Sequence, residues 1–310
     1  MEMYDNLLKE FKNKKLEAEY LADVNLRNAM TNVEFKNTYN HIRSLQLNYA
    51  KAQYSGKPIE EIKQNILSAK TKLKEIAKKL NIDTNTLKPQ YSCKKCNDLG
   101  LINSEYCDCF KKELSKRLLE NCGLNYDNLP DFDNMSYDIV KDGIQKDKYV
   151  KTCELFKKYI SKLKESEKKL IFLNGNVGVG KTHILKATTH EAIKQGYYAL
   201  YTTAFDLNKS FLAYHCAKLD EKDEILNKYL ECDLLLIDDL GTENILKNVT
   251  VEYLYLVLNQ RLESGKNTII TTNLSLDELK DTYDERIMSR ISNKQTCITT
   301  MLTGDDLRIN

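Results

Sequence analysis

The chain has almost no excess of charge of one sign. Lysine and arginine number 47 and aspartate and glutamate 45 in 310 residues, a formal net charge of +2. Bulk charge therefore gives no argument for nucleic acid, and any such binding needs a local patch. No run of eighteen apolar residues occurs, so no helical membrane span is expected. The four histidines, His41, His183, His190 and His215, stand at no metal-ligand spacing. Internal repeats and low-complexity tracts are absent as well. The opening residues Met1–Asp5 lack signal-peptide character, which makes the cytoplasm the expected location. Nine cysteines in such a chain argue for reduced thiols or metal and against disulfides.

What is present is a chain that is 42% apolar, enough to bury a core in one to three domains. Its three prolines, Pro58, Pro89 and Pro130, punctuate it, since proline favours helix starts and the positions past helix ends. We expect a helical region at 1–88, a small cysteine module at 89–125 and an α/β domain at 126–310. In the first, Ile62, Ile66, Ala69, Leu73, Ile76 and Leu80 recur at steps of four and three, one apolar stripe on a charged helix. Tyr4, Leu7, Leu8, Phe11, Leu45, Leu47 and Tyr49 are candidate partners for it. Such a region reads as a small self-contained bundle, which is compatible with the partner-docking role expected for it. In the last region, apolar runs at 170–173, 198–203, 234–237, 268–272 and 297–302 alternate with helical patterns. That is the signature of a mainly parallel sheet covered on both faces.

The most informative stretch is Gly175-Asn176-Val177-Gly178-Val179-Gly180-Lys181-Thr182, between the first of those runs and a helical pattern. It matches G-x-x-x-x-G-K-[ST], the phosphate-binding P-loop. Glycines let the backbone turn its N–H groups inward around a phosphate, and the following helix offers its positive end. Lys181 can reach the β- and γ-phosphates and Thr182 can place its hydroxyl on Mg²⁺. A nucleoside triphosphate is the expected ligand.

Leu234–Ile237 is an apolar strand ending in Asp238-Asp239. Asp238 is expected to hold Mg²⁺ through water and Asp239 to orient or deprotonate the attacking water. Asp233 and Glu231, before the strand, read as solvated. Thr271-Thr272-Asn273 ends the next strand, where an amide can reach the γ-phosphate, although asparagine there is also an ordinary turn residue. Arg286 and Arg290 lie four apart on one helix face. They suit either a neighbouring subunit's nucleotide or surface ion pairs with Asp284 or Glu285. In Phe205–Tyr229, Leu207, Phe211, Leu212 and Tyr214 mingle with Lys209 and Lys218. This fits single-stranded nucleic acid or an ordinary crossover helix, and its later half is acidic.

Cys93-Lys94-Lys95-Cys96 and Cys107-Asp108-Cys109 can surround a tetrahedral Zn²⁺. The spacing is not that of a ferredoxin cluster, and a closed four-cysteine site has no open position for catalysis. Cys122, Cys153, Cys216, Cys232 and Cys297 are scattered and are expected to be buried hydrophobes.

Together, the segments 175–183, through His183, 234–243, 268–274 and 285–291 resemble AAA+ ATPases of the initiator/loader group. They are most similar to bacterial replicative-helicase loaders of the DnaC/DnaI type. The cysteine pattern, with Asn97-Asp98-Leu99-Gly100 after the first pair, looks like the zinc-binding region of some loaders. The resemblance implies an AAA+ P-loop core without a full lid domain, binding ATP and Mg²⁺ through residues 175–183 and Asp238. It implies catalytic roles for Asp239, Asn273 as sensor 1 and Arg290 as arginine finger, with Arg286 as the fallback. Gly304–Arg308 resembles the short tail of this group, with Arg308 a sensor arginine. The implied partners are a hexameric replicative DNA helicase bound by the helical region, single-stranded DNA, and neighbouring copies of the AAA+ domain. ATP turnover would release the loader. Many AAA+ proteins have Asp-Glu where this chain has Asp238-Asp239. The shorter acid suits a slow switch, and Glu243 is an alternative base. IstB-type transposition helper ATPases share the core but usually lack the cysteines, so an IstB-like helper, or a weakly hydrolysing DNA-binding scaffold, is the alternative.

Overall fold

Few prolines and glycines in a charged, stripe-patterned sequence allow long helices, and three open the chain: α1 (Glu2–Ala29), α2 (Val33–Tyr54) and α3 (Glu60–Lys79). The computed structural model describes residues 2–56, 58–121, 123–137, 140 and 143–309. These fall into two units, Glu2–Glu105 and Tyr106–Asn310. In the first unit Asn32 caps α2 by accepting from the Phe35 N–H at 3.0 Å, which satisfies one of the donors a helix start leaves open. The stripe of α3 faces α2: Ile76 and Ala77 are buried beside Phe35 and Ala29, with Leu73 against them. Leu47, a candidate partner, points outward and is 64% exposed, while Ile42 and Ala52 of the same helix are buried instead.

A short hairpin, β1 (Leu101–Ile102) and β2 (Glu105–Tyr106), lies between the cysteine pairs and leads into α4 (Asp108–Asn121) and α5 (Ile144–Ser161). Strands and helices then alternate: β3 (Leu170–Gly175), α6 (Lys181–Lys194), β4 (Ala199–Thr203), α7 (Ala204–Cys216), α8 (Leu219–Glu231), β5 (Leu234–Leu240), α9 (Thr250–Glu263), β6 (Asn267–Thr272), α10 (Leu276–Thr282), α11 (Glu285–Ile291) and β7 (Cys297–Leu302). The five strands β3–β7 form one parallel sheet in the order β4-β5-β6-β3-β7. They are the five apolar runs of the sequence; β3 to β6 are buried almost throughout because both faces are covered, whereas the edge strand β7 alternates, with Thr299 and Met301 exposed. On one face Ile171, Leu173, Leu234, Leu236 and Ile269 pack with Phe156 and Ile160 of α5, Ile184 and Leu185 of α6 and Leu119 of α4. The alternate residues Leu235, Ile237 and Ile270 are equally buried, on the side where α7 and α9 pack.

Two local expectations change. The crossover between β4 and β5 is two helices, broken at Ala217-Lys218; Leu207 and Phe211 are core, whereas Leu212 and Phe205 are substantially exposed. Asp233 is half-buried and paired. It accepts from the Tyr198 N–H at 3.0 Å and from Lys111 of α4 at 3.1 Å. Burial raises its pKa, but that N–H and the ammoniums of Lys111 and Lys266 outweigh it and hold the carboxyl below its ordinary value.

Arg261 of α9 is 1% exposed, and no carboxylate pairs with it among the described residues. Its guanidinium instead donates to the carbonyls of Tyr229, Cys232 and Asn267 and to Thr268 Oγ1. It thereby closes the amino ends of β5 and β6 on the end of α8, and satisfies carbonyls that would otherwise be buried unpaired. Arg261→Leu should destabilise the sheet unit by about 3 kcal/mol or more, read from urea unfolding followed by tyrosine fluorescence.

Candidate functional site

In a parallel sheet all carboxyl ends share one edge, and the order β5-β6-β3 makes the loops leaving these strands neighbours. The loop after β3 turns through Gly178 (φ +78°) and Gly180 (φ +95°), values that a residue with a Cβ rarely adopts. A Cβ on Gly178 would also stand 2.0 Å from the Asp306 carboxyl. Gly180 caps α6, whose first residue, Lys181, is 4% exposed. The Lys181 ammonium donates to the carbonyls of Gly175 and Asn176, each at 2.7 Å, and to Asn273 Oδ1 at 2.5 Å. Desolvation holds its pKa below the ordinary lysine value, and the charges of Asp239 and Asp238 oppose that.

At the end of β5 the two acids face different surroundings. Asp238 is 2% exposed. It accepts from Thr271 Oγ1 at 2.6 Å and from the Tyr201 hydroxyl at 2.7 Å. Asp239 follows at a slip in the β5–β6 register between Ile237 and Leu240, with φ +56°. The Asn273 amide donates to its Oδ1 at 3.4 Å. Burial raises the Asp239 pKa and the Asp238 charge adds to this, while Lys181, Asn273 and Arg308 pull it down.

These groups surround a cavity of about 410 Å³, lined by Val177, Gly178, Gly180, Lys181, Thr182, His183, Lys186, Asp239, Asn273, Leu307 and Arg308. The volume suits a nucleotide-sized ligand. Thr182 and Asp239 give it the hard oxygen donors that Mg²⁺ takes. Buried Val179 anchors the loop. His183 Nδ1 lies 2.9 Å from the Tyr149 hydroxyl of α5. Burial and the nearby Lys186 lower its pKa.

Several expected residues lie elsewhere. Asp238 is turned to Tyr201 and Thr271. Glu243 accepts from the Gly241 N–H at 2.8 Å and from the Tyr283 hydroxyl; it is 7% exposed and does not line the cavity. Arg286 and Arg290 flank the Tyr255 ring, at 4.6 and 4.3 Å from its centroid. Arg286 pairs with Asp284 and Glu252, and Arg290 donates to Asn259 and Tyr255. Neither lines the cavity of its own chain. Arg308 does, and it is held by Asp306 through both carboxylate oxygens at 3.0 and 2.9 Å. Sequence reasoning missed Tyr149, Tyr201, Lys186 and Asp306. Lys186 follows Thr182 by one helical turn and was legible, but the other contacts depend on pairing between distant segments.

The sulfurs of Cys93, Cys96, Cys107 and Cys109 all lie within 4.8 Å of one another. A tetrahedron of thiolates around Zn²⁺ needs edges of about 3.8 Å, so the donor set fits that ion. The turn after the first pair is tight. Asn97 and Asp98 are left-handed, Gly100 N–H donates to Cys96 Sγ at 3.3 Å, and buried Asp98 accepts from the N–H groups of Ser92 and Cys93. Cys153, Cys232 and Cys297 are buried as expected. Cys216 is exposed, because α7 ends there, and Cys122 lies outside the described residues.

The profile of the IstB-like ATP binding protein family matches residues 140–294. The chain is 27% identical over 220 residues to YqaM of Bacillus subtilis, an uncharacterised protein, with 67% of this chain and 66% of YqaM covered. It is 32% identical over 120 residues to the chromosomal replication initiator protein DnaA of Aquifex aeolicus, covering 39% of this chain and 29% of DnaA. Among solved structures, that of the DnaC helicase loader superposes with a TM-score of 0.46 at 24% identity, over 58% of this chain and 98% of that one. The chain thus spans just under two thirds of YqaM and less than a third of DnaA.

Purified full-length chain should carry one equivalent of zinc. Cys96→Ser should lose it by elemental analysis, with a lower melting temperature in the variant and in chelator-treated parent.

Proposed function

We propose that this chain, which belongs to the IstB-like ATP binding protein family, hydrolyses ATP slowly and uses the nucleotide state to time the loading of a replicative DNA helicase onto single-stranded DNA. The observation that carries the reading is the convergence of Lys181, Asp239 and Asn273 on one cavity at the carboxyl edge of β3, β5 and β6.

Lys181 is held by carbonyl and amide oxygens that a triphosphate's oxygens can replace, so it binds the β- and γ-phosphates. Mg²⁺, when bound, neutralises charge on those phosphates; Thr182 and Asp239 are the chain's oxygen donors on the cavity wall, while Asp238 is held by Tyr201 and Thr271. Asp239, whose burial favours proton uptake relative to an ordinary carboxylate, orients the attacking water and takes its proton. Asn273 bridges Asp239 and Lys181 and so senses the γ-phosphate. Arg290, with Arg286 beside it, does not line its own cavity, which suits a finger offered to a neighbouring copy.

Support for a replication role comes from the motif resemblance to helicase loaders and from the similarity to DnaA, a replication initiator by name. On this reading the helical unit docks the hexameric helicase and the cysteine cluster is a structural zinc site. The domains proposed remain 1–88, 89–125 and 126–310. The family's own name favours a second reading, a transposition helper that assembles on duplex DNA, which predicts filaments on duplex and no affinity for helicase.

Lys181→Ala in the full-length chain should weaken ATP binding by about a hundredfold or more and abolish helicase deposition on single-stranded DNA. Deposition at the parent level by this variant would overturn the switch. A base must be deprotonated to act, so turnover is present above the Asp239 pKa and lost as pH falls through it. Because that pKa is raised, the acid limb of kcat/KM should lie above the ordinary carboxylate range, and an acid limb at the ordinary value would count against Asp239 as the base.

A further inference from the structure

Asp239 sits where the pairing of β5 with β6 slips, with a backbone (φ +56°) that residues bearing a Cβ rarely adopt. A slip of this kind takes a backbone group out of the ladder. The Asp239 N–H finds its partner in a side chain, donating to Thr271 Oγ1 at 3.0 Å. A threonine hydroxyl has one proton, and that of Thr271 goes to Asp238 Oδ1 at 2.6 Å. The direction is forced at both ends, since an amide N–H only donates and a carboxylate oxygen accepts. The second Asp238 oxygen accepts from the Tyr201 hydroxyl at 2.7 Å.

Register explains how these three meet. Ile237 pairs with Ile270, which sets Thr271 beside Asp238. Tyr201 pairs with Leu236, and its long side chain reaches the diagonal position two residues further on. Thr271 is 0% and Asp238 2% exposed, so water does not compete for these bonds. On the far side of the turn the Asp239 carboxylate meets Asn273, whose Oδ1 holds Lys181.

We infer that Thr271 is a positioning residue for Asp239. Its hydroxyl, anchored on the buried Asp238–Tyr201 pair, holds the left-handed turn that aims the Asp239 carboxylate into the cavity where a terminal phosphate and its Mg²⁺ would lie. Asp238 then serves as the anchor of the turn. The inference rests on the ATP-hydrolysis reading above.

The test compares Thr271→Val, which keeps shape and removes the hydroxyl, with Thr271→Ser, which keeps the hydroxyl. Three quantities are read in the full-length chain: kcat and KM for ATP, the ratio of ATP affinities with Mg²⁺ and with chelator, and hydrogen-exchange protection of the Asp239 amide. The valine variant should lose about tenfold to a hundredfold in kcat, with KM changed by less than about threefold. It should show a smaller Mg²⁺-dependent gain in affinity and an unprotected Asp239 amide. The serine variant should restore all of these. Parent-like kcat and Mg²⁺ dependence in the valine variant, or failure of serine to rescue, overturns the inference. Should the valine variant not fold, Tyr201→Phe, which frees one Asp238 oxygen, should lower kcat in the same direction; an unchanged kcat there overturns it. Absence of turnover in the parent overturns the hydrolysis reading instead. The inference is then decided by the Mg²⁺-dependent affinity and by the Asp239 amide.

Discussion

A buried ammonium organises the carboxyl edge of the sheet. Lys181 has left water almost completely, and a charge in that position is tolerated only where oxygen acceptors surround it. Two of its acceptors are carbonyls of the loop that it follows, and the third is the amide oxygen of Asn273, at the end of another strand. One side chain therefore ties β3, its loop, α6 and β6 together. The left-handed glycines, the cap at Gly180 and the parallel strand order serve this arrangement, because each brings an oxygen within reach of Nζ or turns the loop so that it can. The same acceptors are ones that phosphate oxygens can replace, so the bonds that stabilise the loop by themselves are those a triphosphate would exchange.

The two aspartates at the end of β5 divide the work of this edge by one residue of backbone. Asp238 is consumed by neighbours on both adjacent strands, Tyr201 and Thr271, whereas Asp239 is rotated out of the sheet by the register slip and lines the cavity. A regular strand would place successive side chains on opposite faces. The slip breaks that alternation where a carboxylate is needed beyond the end of the sheet. Behind the edge, Arg261 closes the opposite end of β5 and β6 with carbonyl bonds, so the strands are pinned at both ends.

Much of this was legible in the residues. The P-loop, its flanking strand and helix, and all five sheet strands stand in the sequence, because glycine at left-handed positions and two-sided burial leave local marks. The cysteine spacing is equally readable, and the sulfurs do lie together. Other features left no mark. The local sequence around Asp233 suggests a solvated acid, but its lysine partner Lys111 comes from α4, 122 residues away in sequence. Glu243 was a candidate base, yet Tyr283 and the Gly241 N–H already occupy it. The apolar context of Cys216 suggests burial, but a helix ends there and exposes it.

The sequence by itself determined that a phosphate-binding loop joins a buried strand to a helix, that acids end a neighbouring strand, and that four thiols come in two pairs. Those are properties of spacing and residue type within short windows. Only the tertiary structure decided which of the two aspartates lines the cavity, and that Asn273 touches both Asp239 and Lys181. It alone decided that Tyr201 and Thr271 hold Asp238, and that both arginines of α11 stack on Tyr255. These depend on strand order and register, and register is set by the packing of whole faces. A shift of one residue reverses every side chain, so no local window contains the information.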